Sequence, residues 1–332
     1  MASPFTDQPE QSLAALGEVD LIQRIRTLLG AACPPGTAGG GDDCAVPAWP
    51  PGFDPDRTRP LLTVDALIYG RHFDDQTEAA AAGAKLVNRN LSDIAAMGGQ
   101  PGWSVVSLAC DGRLRLEWLD AFCRGMSRAT QAVNLQLNGG DVSGADRNSF
   151  IASMTIVGWA DQPVPRQGAR PGDRLLVSGR LGGSLLGHHL TFTPRLQEGA
   201  WLAGRPEIRA MIDVTDGLAK DLPALRASGG RVHVNTSAIP LSAAAGEQSK
   251  ASGKTALWHA CNDGEDYELA IAVEADQTET LLADWGKAFP ELPLTAIGQV
   301  TDEQPDSDCL IDARTGKPLF EAEHRGGFRH FG

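Results

Sequence analysis

Lys85-Leu-Val-Asn-Arg-Asn-Leu-Ser-Asp93-Ile-Ala-Ala-Met-Gly98-Gly99 is the stretch whose reading decides the fold. Leu86, Leu91, Ile94, Ala95 and Met97 recur at helical spacing and predict a buried helical face, which Gly98 and Gly99 end. One carboxylate, Asp93, interrupts this apolar run in the C-terminal half of the helix. The helix dipole disfavours negative charge there, so Asp93 requires a compensating cation.

Outward from this helix, further acidic groups stand next to apolar strands. They are Asp42-Asp43, Asp65, Asp141 and Asp213-Val-Thr-Asp216. A single Asp-Gly or Gly-Asp pair is good turn chemistry on its own. Five such motifs in one chain point instead to a shared function. If their carboxylates converge, repulsion is severe unless divalent cations are present. Oxygen donors without His or Cys clusters select Mg²⁺ over zinc or copper, and Mg²⁺ pairs naturally with a phosphate substrate.

The flanking chain alternates helices and strands. The pattern predicts a first helix through Val19–Leu29, then a strand at Leu61–Ile68 interrupted by Asp65. A helix over Thr77–Met97 follows, then a strand at Trp103–Ala109, a helix at Leu116–Asn134 and β structure at Leu135–Leu137 and Phe150–Trp159. Residues 161–172, rich in Pro and Gly, read as a linker to a second unit with strands at Arg174–Ser178, Met211–Val214, Arg231–Asn235 and Glu268–Val273, and a helix at Thr278–Phe289. Residues 1–16 read as a mobile tail, and 241–256 as small and polar. The fold class is therefore α/β, in α+β layers. A chain of 332 residues predicts two domains, 17–160 and 166–332.

Composition narrows the function. The net charge of −13 argues against a nucleic-acid or anionic-membrane surface. No apolar run is long enough to cross a membrane, and the N-terminus lacks a signal-peptide pattern. Six cysteines without a Cys-x-x-Cys pair suit a reduced, cytoplasmic compartment. Gln248-Ser-Lys-Ala-Ser-Gly253-Lys254-Thr255 imitates a phosphate-binding loop, but Gln248 replaces its first Gly and no apolar strand precedes it. Gly182-Gly183-Ser184-Leu-Leu-Gly187 reads as a close-packing turn. His72 is either structurally satisfied or a ligand contact. Phe328 is either a core anchor or a stacking platform.

In order along the chain, Gly41-Asp-Asp-Cys-Ala-Val, Thr63-Val-Asp65 with Gly70-Arg-His72-Phe73, Asn90-Leu-Ser-Asp93, Gly139-Gly-Asp141, Arg166-Gln-Gly-Ala-Arg-Pro-Gly-Asp173, Ile212-Asp-Val-Thr-Asp216-Gly-Leu and Gly264-Glu-Asp-Tyr-Glu-Leu269 resemble the thiamine-monophosphate kinase family, of the aminoimidazole ribonucleotide synthetase-like superfamily. The resemblance implies a two-domain fold of that type, dimeric through an ATP- and Mg²⁺-binding N-terminal domain, and direct transfer of the ATP γ-phosphoryl group to thiamine monophosphate with no covalent nucleophile. It implies several Mg²⁺ ions on Asp43, Thr63, Asp65, Asp93, Asp141, Asp213 and Asp216. ATP would meet Gly140, Asp141, Arg166 and Thr215, and the thiamine phosphate His72, Glu265 and Phe328. Val64, Asn88, Arg89 and Asp263 depart from the family pattern. Another ATP-using enzyme of the superfamily, or a non-catalytic nucleotide-binding subunit, remain the alternatives at this stage.

Overall fold

A computed structural model describes residues 3–34, 44, 45, 47–49, 53–227, 230–303 and 310–320. Contacts divide the chain into two units, one of residues 1–94 with 100–161, the other of 95–99 with residues from 162 on.

The first unit contains α1 (Glu18–Leu29), β1 (Arg59–Ile68), α2 (Ala79–Ala96, of which the first unit takes all but the last two residues), β2 (Gln100–Cys110), α3 (Leu116–Ala132), β3 (Gln136–Gly144) and β4 (Phe150–Ala160). The strands form one sheet in the order β1-β4-β2-β3, with only β2 and β3 parallel. Alternation along each strand gives the sheet two faces. Leu61, Leu67, Val106, Leu108, Ala152, Met154 and Ile156 are buried on the inner face. Leu62, Val64, Val105 and Ile151 stand exposed on the outer one.

Helices α2 and α3 approach to backbone contact through two glycines. A Cβ on Gly83 would lie 2.0 Å from the Phe122 carbonyl oxygen, and one on Gly125 would lie 2.0 Å from that of Ala80. Any side chain at either position would push the helices apart. An aromatic cluster of Phe73, Trp118, Phe122 and Phe150 fills the adjoining core.

The N-terminal segment corrects the sequence expectation. Residues 3–16 are bound along Asp111–Arg115 and not a free tail. Phe5 bridges to Leu114 and Ser12 to Arg115, while the Arg115 guanidinium donates to the Ser3 carbonyl at 2.9 Å. Phe5 and Leu13 are buried. Each gains roughly 1.5–3 kcal/mol by leaving water, which offsets the ordering of an otherwise polar segment.

The second unit contains β5 (Arg174–Ser178), α4 (His188–Thr191), α5 (Leu196–Ala203), β6 (Ile208–Asp213), α6 (Leu218–Asp221), β7 (Arg231–Val234), α7 (Ala243–Ser252), α8 (Ala256–Asn262), β8 (Leu269–Val273), α9 (Thr278–Ala288), β9 (Leu294–Thr301) and β10 (Leu310–Asp312). Its sheet runs β10-β7-β9-β5-β8-β6. Strand β8, between β5 and the edge strand β6, is buried at every position, as expected of a strand covered on both faces.

Residues 241–256, read from sequence only as small and polar, form α7 and the start of α8. The reason is capping. Ser242 accepts the Ala245 N–H at 2.9 Å, Gly253 ends α7 in the left-handed region, and Thr255 accepts the Trp258 N–H at 3.0 Å. The imitation phosphate loop is thus the end of a helix, and Lys254 Nζ sits 3.2 Å above the Trp258 ring.

The five described cysteines are free thiols. Burial pushes Cys110 up to about 11 and Cys123 and Cys261 up to about 12. Among the described residues, no helix is long and apolar enough to cross a membrane.

Candidate active site

In the first unit a polar seam runs between β1 and α2. Lys85, Arg89 and Asp93 stand four residues apart and so share one stripe of the helix. Asp93 accepts a short hydrogen bond from the Thr63 hydroxyl. Asp65 accepts from Arg89 Nε at 2.8 Å, and Arg89 Nη1 donates to the Ala66 carbonyl at 2.6 Å. Lys85, fully buried, donates to the His72 carbonyl at 2.9 Å. His72 accepts the Ile68 N–H at Nδ1, 3.0 Å away, which leaves Nε2 carrying the proton in the neutral ring. Asp65 does not interrupt β1; it pairs in register with Met154.

Sequence reasoning recognised Asp93's need for compensation and Arg89's oddity. It did not find the cations along the seam, because side-chain pairing between a strand and a helix leaves no local signature.

Asp141 lies elsewhere in this unit. It accepts from Ser143 Oγ at 2.9 Å and is exposed. In register it is level with Ser107, whose β4 partner is Ser153, whereas Asp65 is level with the neighbouring Met154. Asp141 therefore belongs to the outer face and Asp65 to the inner. Three strand spacings, about 14 Å, separate β1 from β3. Asp65 and Asp141 of one chain are thus not brought together. At Gly140 a Cβ would meet the Val106 carbonyl oxygen at 2.1 Å, so only glycine permits this approach of β3 to β2.

In the second unit two turns lie side by side. The Glu265 N–H donates to the Thr215 carbonyl at 2.8 Å and the Tyr267 N–H to that of Val214 at 2.9 Å. The structure so joins Thr215, Asp216 and Glu265. Asp213, buried, closes β6 just before them. Asp216 pairs with Lys220. Asp221, a residue that sequence reasoning missed, holds the first turn from beneath: one of its oxygens accepts both the Thr215 and the Asp216 N–H at 2.9 Å. Burial pushes its carboxyl up to about 7.

The second turn is strained. Glu265 and Tyr267 have φ of 56° and 53°, a region costly for side-chain-bearing residues and enriched at functional sites. His189 Nδ1 lies 3.1 Å from one Glu265 oxygen, and the Tyr267 hydroxyl donates to the other at 3.3 Å. Tyr267 in turn stacks on Phe192, 3.8 Å between centroids. Asp266 accepts the Gly182 N–H at 2.9 Å, and burial raises its carboxyl well above the usual range. The motif Gly264-Glu-Asp-Tyr-Glu-Leu269 signalled the turn in sequence, whereas His189 was missed. Arg166 is exposed in the irregular segment before β5. Asp43 and Phe328 lie outside the described residues.

Among the described residues no three His, Cys, Asp or Glu side chains form a ready metal cage. The donors of the seam and turns are nevertheless hydroxyl and carboxylate oxygens. That set fits Mg²⁺, which keeps its waters and binds through one or two carboxylates together with substrate phosphates.

Residues 41–160 match the family described as AIR synthase related protein, N-terminal domain. The chain is 38% identical over 267 residues to the thiamine-monophosphate kinase of Rhodopirellula baltica, covering 78% of this chain and 82% of the relative. It is 31% identical over 342 residues to that of Salmonella typhimurium, covering 96% and 99%. The solved structure of AaThiL complexed with AMPPCP and TMP is similar at a TM-score of 0.71 and 26% identity, over 96% of this chain and 98% of the other.

Proposed function

The chain belongs to the thiamine-monophosphate kinase family and phosphorylates thiamine monophosphate to thiamine diphosphate at the expense of ATP; from that premise we propose which residues perform the transfer. ATP meets Gly140, Asp141, Arg166 and Thr215, and the thiamine phosphate meets His72, Glu265 and Phe328. Asp43, Thr63, Asp65, Asp93, Asp141, Asp213 and Asp216 are the Mg²⁺ ligands, divided among several ions, since Asp65 and Asp141 of one chain stand too far apart to share one. Held by these residues, Mg²⁺ would supply charge neutralisation for phosphoryl transfer.

The observation that carries this reading is the 2.8 Å bond from Glu265 to Thr215. It ties a residue assigned to the acceptor to one assigned to the donor, on two turns that share backbone hydrogen bonds. His189 and Tyr267 hold the Glu265 carboxylate, and Asp221 holds Thr215 and Asp216. The Arg166 guanidinium offers a planar fork suited to phosphate. The acceptor is itself a phosphate, largely a dianion at neutral pH because its second pKa is about 6. It attacks without a general base, consistent with positioning and charge neutralisation as the main catalytic effects.

We assign ATP and Mg²⁺ binding and self-association to an N-terminal domain of residues 17–160, with 166–332 as the second α/β domain, which adds Arg166, Asp213, Thr215 and Asp216 to that site. We assign the outer sheet face to a homodimer. Leu62 is 74%, Val64 64% and Val105 44% exposed there, an apolar patch that water disfavours. The free thiols and the use of ATP support a cytoplasmic location. A coupled ADP-release assay tests the whole reading. Thiamine monophosphate should support turnover in Mg²⁺ and thiamine itself should not; equal turnover of the two would refute a phosphate acceptor.

A further inference from the structure

We propose that Arg89 is a tethered counterion for Asp65, which competes with divalent metal at the β1–α2 seam and delays its loading until nucleotide arrives. The proposal rests on Asp65 being a metal ligand.

The structure gives Arg89 a defined partner. Its side chain is only 11% exposed, against 34% for Asp65. Nε donates to Asp65 at 2.8 Å while Nη1 is fixed by the Ala66 carbonyl at 2.6 Å. The second bond orients the guanidinium, so the pair is not a loose surface contact. One helical turn earlier stands the buried cation Lys85. Along the seam two cations, Lys85 and Arg89, therefore accompany two carboxylates, Asp65 and Asp93. Among the described residues the seam so holds as many basic as acidic side chains, and the Asp65 carboxylate meets a guanidinium rather than a second carboxylate.

This balance has a cost for metal binding. A divalent ion arriving at Asp65 must displace the guanidinium from Oδ2 or bind the other oxygen against its positive charge. In a half-buried site that repulsion is only partly screened. Nucleotide phosphates add negative charge to the site and reverse the preference, so the ion enters most favourably as a metal–nucleotide complex. A neutral side chain at 89 would leave Asp65 open to free metal.

The test uses full-length, nucleotide-free protein. Mn²⁺ binding is followed by electron paramagnetic resonance, Mg²⁺ by competition, and melting temperature is measured with chelator and with Mg²⁺. Arg89→Met keeps the packing of the stem and removes the charge. It should tighten the metal dissociation constant roughly 5- to 30-fold, as expected for loss of an ion pair worth more than a surface one. Its melting temperature should also rise more on adding Mg²⁺ than that of the wild type. Arg89→Lys keeps the charge and should stay within about threefold of wild type, by the same Coulombic argument. Unchanged or weaker metal affinity in Arg89→Met, with equal destabilisation in chelator and Mg²⁺, would show a purely structural arginine and overturn the proposal. Asp65→Asn separates this failure from failure of the site assignment. If Asp65→Asn added to Arg89→Met binds metal as Arg89→Met alone does, Asp65 is no ligand and both readings fall.

Discussion

Replacing Asp221 by Ala removes the acceptor of two backbone N–H groups, those of Thr215 and Asp216, each 2.9 Å from the same carboxylate oxygen. A buried donor left without a partner costs about 1–3 kcal/mol. The two residues are half-buried, so water recovers part of this, and a total of about 2–4 kcal/mol is expected. For a unit of this size that lowers the melting temperature by roughly 5–15 °C. The loosened turn carries Thr215 and is bonded to Glu265, so the Michaelis constants for both substrates should rise. Asp221→Asn should behave differently. Burial holds the carboxyl near 7, so around neutrality it is already partly protonated, and the amide oxygen can accept both N–H groups. Because the folded pKa lies above the ordinary 3.8, the folded state binds more protons than the unfolded state between about 4 and about 7. This group's contribution to stability therefore falls as pH rises through that window, and Asp221→Asn should flatten the fall. Melting curves for the three proteins at pH 5 and pH 8, with both Michaelis constants, decide the matter. A melting temperature for Asp221→Ala within 2 °C of wild type (well under the roughly 5 °C minimum expected) would refute the clamp.

Asp93→Asn should retain the fold, since shape is kept, while turnover drops by orders of magnitude; near-normal turnover in the ADP-release assay would remove Asp93 from the metal set. The pair Leu62→Glu and Val64→Glu places charge on the exposed sheet face and should convert a dimer to monomer in light scattering. A monomeric wild type would dismiss the interface outright. Lys254→Ala should leave the ATP Michaelis constant unchanged, because Lys254 covers the Trp258 ring at a helix junction; a large rise would relocate the nucleotide.

Much of the scaffold could be read from periodicity. The apolar spacing of Leu86, Leu91 and Ile94 located α2, and the runs around Val106, Met154 and Ile271 located strands, because burial leaves a regular trace in sequence. Helices α7 and α8 escaped because Ala, Ser and Gly carry little hydrophobic signal, although the caps Ser242 and Thr255 were there to be weighed. The acidic motifs were legible as residue types. Their partners were not: Arg89 on Asp65, His189 on Glu265 and Asp221 beneath Thr215 are meetings made by tertiary packing. Nor does a chain announce that Glu265 and Tyr267 adopt left-handed backbone. Asp141 was grouped with Asp65 by motif, and only strand order and register separated them.

The docking of the N-terminal segment bears on how the protein is made. Residues 3–16 leave the ribosome about a hundred residues before the surface that receives them, Asp111–Arg115. In the finished fold Phe5 packs edge-on to Tyr69, 5.2 Å away, and Tyr69 stands just before the His72 loop. Closing so long a loop is slow relative to forming local helices. The chain thus forms its local helices first and fastens this segment afterwards. A change in residues 3–16 would act on that later step of assembly, and through Tyr69 on the loop that carries His72.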